Sequence, residues 1–214
     1  MSTLLVNKLK AAIGSVINLD DNLHLPAGKK LTGTDTDAIR APGMTVQTVA
    51  SAPVGASNLA VGYSACNNNK SPMVHLGSTY DLTITSKFAN SKFNVYGNIQ
   101  LVTSSGSHCY FDMKVYHGGA LQSPNWLSEA IVNITSGNSW PDGIIADHVG
   151  TTSHQHSQGF SVMYDPNVAA GTELKFAPYV GGWVAGTMYI NKHYNAGNYN
   201  QISYSHFFAQ EIAQ

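Results

Sequence analysis

A chain of 214 residues is long enough for one well-buried core, yet only 11% of its side chains are charged and its formal net charge is −1, less than half of the ~25% charge of an ordinary soluble domain. No lysine and arginine cluster interrupts it, which excludes the electrostatic footprint of a nucleic-acid or anionic-lipid binder, and no run approaches the ~20 apolar residues that span a bilayer. A surface this polar and this poor in charge fits a chain whose flanks are covered by copies of itself better than its alternative, a monomer that merely has few charges.

Residues 1–43 hold no aromatic side chain. Asn7, Lys8 and Lys10 interrupt the start of the chain, so it does not read as a secretory signal, and in a protein made in the cytosol Cys66 and Cys109 are expected as buried thiols and not as a disulfide. Leu5, Leu9 and Ala12 share one helical face. After Gly14 the apolar beats, such as Val16-Ile17 and Leu23-His24-Leu25, are too short to bury a face alone. Such a segment needs a partner chain, and three copies wound along a shared axis would supply one.

From Met44 the rhythm is that of strands. Residues 44–49 alternate, residues 55–79 are rich in turn formers, and residues 80–85 put Leu82 and Ile84 on one face. Residues 93–101 are the clearest half-buried strand, with Phe93, Val95, Ile99 and Leu101 opposed to Asn94, Tyr96, Asn98 and Gln100. Residues 110–116 repeat the pattern, with Phe111, Met113 and Val115 against Tyr110, Asp112, Lys114 and Tyr116. The two runs read as an antiparallel hairpin around residues 104–107. A loop over residues 117–125 ends at Trp126, and a second over residues 137–143 carries Trp140. Three consecutive strands are expected between residues 160 and 194, punctuated by Asp165-Pro166, by Gly171 and by the glycines 181, 182 and 186 around Trp183. A tip at residues 194–200 leads to a last run at residues 202–208. About seven to nine short strands without a long helix predict an all-β chain. The expected architecture is an antiparallel, jelly-roll-like β-sandwich over residues 44–214, preceded by an attachment or stalk segment over residues 1–43.

Candidate chemistry is sparse. His154 and His156, in an extended chain, fall about 7 Å apart on one face, too far apart to grip one ion comfortably. On a threefold axis three chains would gather their imidazoles into a nitrogen donor set suited to Fe, Ni or Zn. The alternative is that they cap the core beside Phe160 and Val162, and no other cofactor is suggested. Asp147-His148 near Ser153 lacks the glycine pattern of a nucleophile elbow, and the acids Asp112, Asp142, Asp147, Asp165, Glu173 and Glu211 form no motif, so the chain reads as noncatalytic. Trp126, Trp140, Trp183, Tyr194 and Tyr199 lie in or beside loops rich in Gly, Asn and Pro, a surface suited to sugar rings or a protein partner. Otherwise each tryptophan covers its own loop or seals a subunit contact.

Several segments, in order, carry a resemblance: MSTLLVNKL, INLDDNLHLPAGKKLTGTD, APGMTVQTV, LTITSKFANSKFNVYGNIQLVTS, MYDPN, GTMYINKHYN and EIAQ. Together they resemble the short tail-fibre and virion structural proteins of tailed bacteriophages, especially those of marine hosts. The likeness lies in the order of the segments over most of the chain and not in any single motif. It implies a homotrimer exposed on the virion. An amino-terminal part would join other tail or capsid proteins, and a β-sandwich knob would face a host surface glycan or protein. A capsid-anchored head fibre or decoration protein, and a lectin-like glycan-binding module, are the alternatives. The histidine-rich and tryptophan-bearing loops between residues 117 and 158 depart from the pattern, and no binding residue is transferred to them.

Overall fold

The computed structural model describes residues 42–52, 59–65, 72–103, 108–131, 143–148, 156–191 and 204–214, all within the compact unit Arg40–Gln214. The expected stalk lies outside the described residues except for Pro42 and Gly43, as does Cys66. The strands are β1 (Thr45–Ala50), β2 (Leu59–Tyr63), β3 (Val74–His75), β4 (Leu82–Thr85), β5 (Lys92–Thr103), β6 (His108–His117), β7 (Ala120–Trp126), β8 (Ile145–His148), β9 (His156–Tyr164), β10 (Glu173–Gly182), β11 (Gly186–Ile190) and β12 (His206–Ile212), with one short helix, α1 (Leu127–Ile131).

Among the described residues these strands form two sheets of six, every ladder antiparallel. In the first sheet β9 runs along one edge of β5, while β12 and β11 lie end to end along the other, with β1 beyond β12 and β2 beyond β11. In the second sheet β4 and β3 share one edge of β10, β6 takes the other, and β7 and β8 share the far edge of β6. Taking each end-to-end pair as one strand turns twelve segments into eight. Numbered along the chain, the first sheet runs 1-8-3-6 and the second 2-7-4-5. This is the order of a jelly roll, in which a folded-over hairpin alternates between two sheets.

That order overturns the expected hairpin. β5 and β6 are successive strands with matching alternation, yet they belong to different sheets and meet across the sandwich. Alternation fixes which face of a strand is apolar and leaves open whether its successor lies beside it or opposite it. For the same reason β9, β10 and β11 exist as expected but are divided between the sheets. The loop expected over residues 117–125 is instead the hairpin β6–β7, closed by Gly118-Gly119 with φ of 54° and 83°, a two-residue turn that demands positive φ at both positions. The turn-rich stretch 55–79 contains β2 and β3, which are too short to show a period.

The inner faces supply the core. Phe93, Phe111, Phe176 and Phe207 are fully buried, and the rings of Phe111 and Phe207, from opposite sheets, stack 5.4 Å apart. Burial of each such side chain contributes about 1.5–3 kcal/mol. Cys109 is buried in this cluster. Gly97 lies where β12 approaches β5 most closely: a Cβ there would run into the His206 carbonyl oxygen and the Phe207 Cα. At the far end of β12 the fully buried Glu211 carboxylate accepts the backbone N–H groups of Lys87 and Phe88 and the Gln47 side-chain amide. The turn after β4 is thereby tied to the opposite sheet.

Candidate functional site

The two outer faces of the sandwich differ in chemistry. On the first sheet, strand parity turns Asn94, Tyr96, Asn98 and Gln100 of β5 outward, with His206, Phe208 and Gln210 of β12 beside them. Tyr96 and Phe208, directly opposite each other, stack at 5.1 Å, and His206 continues the file, its ring 6.3 Å from that of Phe208. Ser161 donates to the Asn94 side-chain carbonyl. Among the described residues the strands of this sheet contain only two charged side chains, Lys92 and Glu211. Glu211 is buried, and Lys92 stands at the end of β5, paired with Asp165 at 3.3 Å. Met163 and Tyr204 on this side are 46% and 52% exposed.

The outer face of the second sheet carries ions and rings together. The cross-strand row His75, Tyr179, Asp112 and, two rows along the same face, the row Thr83, Lys175, Tyr116 follow from the register of β3, β4, β10 and β6. His75 stacks on Tyr179 at 5.0 Å and its Nε2 lies 2.7 Å from the Asp81 carboxylate, which also receives Lys175 at 3.6 Å. The Lys175 ammonium stands 4.2 Å from the centre of the Tyr116 ring. Lys114, opposite Trp126 on β7, places its ammonium 4.9 Å from the Trp126 ring and 4.7 Å from the Tyr179 ring. Burial pushes the Tyr179 phenol up to about 12, and the neighbouring Tyr116 hydroxyl and Asp81 carboxylate act in the same direction. Asp112 is fully buried on this face. Its carboxylate accepts the Met113 N–H, the Ser128 N–H and, at 2.5 Å, the Ser128 hydroxyl. These bonds anchor the start of α1 to the sheet.

Of the aromatic residues singled out from the sequence, the two that are described, Trp126 and Trp183, are not brought together. Trp126, expected at the end of an open loop, is instead the last residue of β7 and only 6% exposed, its ring edge-on to Tyr179 at 5.4 Å. It therefore supports the Lys114 cluster from below and offers a ligand little surface. Trp183, 38% exposed, sits at the tip between β10 and β11, its backbone N–H bonded to the His108 carbonyl. His108 and Lys114 are six residues apart on β6, so the two tryptophans are separated by about 20 Å along the strand. Trp140, Tyr194, Tyr199 and His154 lie outside the described residues, as does the side chain of His156, whose backbone opens β9. Among the described residues no group of three His, Cys, Asp or Glu side chains is placed to hold a metal ion, and no helix is long and apolar enough to cross a membrane.

Sequence reading missed the cluster around Tyr179. The alternation in residues 110–116 does place Lys114 and Tyr116 on one face. The partners come from β3, β10 and the residue after the 3-10 turn Ser78–Tyr80, and only the register joins them.

No known family profile matches this chain, and no curated protein matches it. Among solved structures it is similar to the infectious bursal disease virus VP2 subviral particle, at 12% identity and a TM-score of 0.33 over 87% of this chain and 42% of the other. It is also similar to the structures of the Gx strain of that virus (13%, TM-score 0.37, 87% and 42%) and of its T13 viral particle (12%, TM-score 0.36, 86% and 40%). The chain spans less than half the length of these proteins, and likenesses at this level carry no argument about function.

Proposed function

We propose that this chain is a noncatalytic structural component of a virion, a homotrimeric fibre or spike whose β-sandwich heads meet the host surface. The observation that carries the proposal is the contrast between the two outer faces. The face of the first sheet is an uncharged field of amides, hydroxyls and stacked rings, and the core of a protein interface is likewise depleted in charge and enriched in aromatic residues and methionine. Amides both donate and accept, so such a face is able to pair with a second copy of itself. The face of the second sheet, with its lysines and tyrosines, is the one left to meet solvent and ligand. The ordered resemblance of the sequence segments to phage virion proteins favours the same reading. So do the two fully buried carboxylates, Asp112 and Glu211, whose oxygens are engaged in holding loops and α1 in place.

In this reading residues 1–43 attach the head to other virion proteins. Host recognition works by avidity: several weak sites on one rigid trimer, repeated over many fibres, bind strongly without a deep pocket. Light scattering of the purified full-length chain is expected to give three times 22.9 kDa, and a stable monomer overturns the trimer. Imaging of intact particles with a label on the chain is expected to place it on the virion surface. Its absence from particles overturns the assignment.

A further inference from the structure

Near the middle of the second sheet's outer face two acids are already occupied and one cation is not, while Glu173 stands exposed at the start of β10, two residues before Lys175. Asp81 is shared by His75 and Lys175, and Asp112 is buried against Ser128 and the Met113 N–H. Lys114 has rings for neighbours: its ammonium sits beside Trp126 and Tyr179, and among the described residues it forms no ion pair. A ring face attracts a cation but accepts no strong hydrogen bond, so the three N–H donors of this half-buried group still call for oxygen. Ala177, directly opposite Lys114 on β10, carries only a methyl group, and Lys175 lies one diagonal step away across the same ladder, about 7–8 Å between backbones.

We infer that this face binds an acidic sugar, with Lys114 receiving the carboxylate or sulfate oxygens and Lys175 reinforcing the field. The Tyr116 hydroxyl, two residues along the same face, is hydrogen-bonded to Tyr179 and keeps one further hydrogen-bonding position for a hydroxyl group of the sugar. A peptide strand is disfavoured as the occupant. Such a strand adds to an open sheet edge through its backbone, whereas both edges of β6 and both edges of β10 are already paired. The ligand therefore meets side chains alone. The inference relies on the surface-recognition reading for the source of the sugar and not for its chemistry.

The test is calorimetric titration of the full-length chain with oligogalacturonate, with dextran sulfate and with neutral dextran. Binding of either acidic sugar and no binding of the neutral one are expected, weakening as salt is raised. Lys114→Gln should lower the affinity about tenfold or more, the scale of losing a charge-assisted hydrogen bond. Lys114→Arg, which keeps the cation between the rings, should stay within a few fold of the parent and guards against a folding defect in the first variant. Lys92→Gln, on the other sheet, should leave binding unchanged. The inference is overturned if neither acidic sugar binds, if neutral dextran binds equally, if Lys114→Gln binds like the parent, or if Lys92→Gln is as damaging. Acidic-sugar binding by a chain absent from virions overturns the virion assignment and leaves this site standing. A chain present on virions that ignores both acidic sugars overturns the site alone.

Discussion

The Glu211 carboxylate accepts the backbone N–H of Lys87 through both of its oxygens, at 2.9 and 3.0 Å, although the two residues are 124 positions apart. A fully buried carboxylate held by backbone donors is costly to disturb, because those donors then face no acceptor. Glu211→Ala is expected to lower the unfolding free energy by about 3 kcal/mol. Glu211→Gln, which keeps one acceptor oxygen, should lose about half of that. Denaturant unfolding followed by circular dichroism measures both, and an alanine variant as stable as the parent contradicts the role given to this residue.

Gly97→Ala is expected to destabilise the head by about 2–4 kcal/mol, because the clash is with backbone on β12 and no side chain is able to move aside. Gly159→Ala, whose added Cβ would sit 3.8 Å from the Gly97 carbonyl, should cost far less. Thermal melts of the two variants side by side check the difference.

Acid sensitivity should arise in part from His117. Its Nε2 lies 2.9 Å from the Tyr164 hydroxyl, and burial lowers its pKa below the ordinary 6.5. The unfolded chain then binds the proton more readily than the folded one. The contribution is complete above pH 6.5 and is lost as pH falls from there through the folded-state value. His117→Gln should flatten the fall in stability below pH 6.5. An unchanged slope in denaturant midpoints across that window assigns the sensitivity to other groups.

Phe208→Lys places a charge in the middle of the uncharged outer face. The sandwich should fold, since Phe208 points away from the core, but in the proposed trimer self-association should weaken by tenfold or more, the scale of leaving a charge unpaired in an interface. Sedimentation across a range of concentrations reads this directly. An unchanged association constant moves the contact to another part of the chain.

Much of the sandwich is legible in the sequence because strand periodicity is local. The inward sets Phe93, Val95, Ile99, Leu101 and Phe111, Met113, Val115 are buried as the alternation predicts. Pairing is not local, and the hairpin expected between residues 93 and 116 fails for that reason. The same limit hides the candidate site. Nothing near Tyr179 in the chain announces that His75 stacks on it, or that Lys114 lies over its ring, because the contacts are set by the register of strands more than 60 residues apart. Trp126 misled for the opposite reason: glycine and proline around it suggest an open loop, while a two-glycine turn folds the segment back as an edge strand.

The place of β12 has a bearing on how the protein is made. It lies between β1 and the first half of β5, so the first sheet cannot close until residues 206–212 have left the ribosome. Until then β1 and β5 present unfilled edges, and contacts as distant as Thr45 with Ile212 make the closing step slow for a domain of this size. Synthesis stalled or cut short before β12 should leave a chain that associates through those edges. Several nascent copies held near one another would meet the same hazard, so in the proposed trimer the order of events would be constrained: each chain would complete its own first sheet before joining its neighbours.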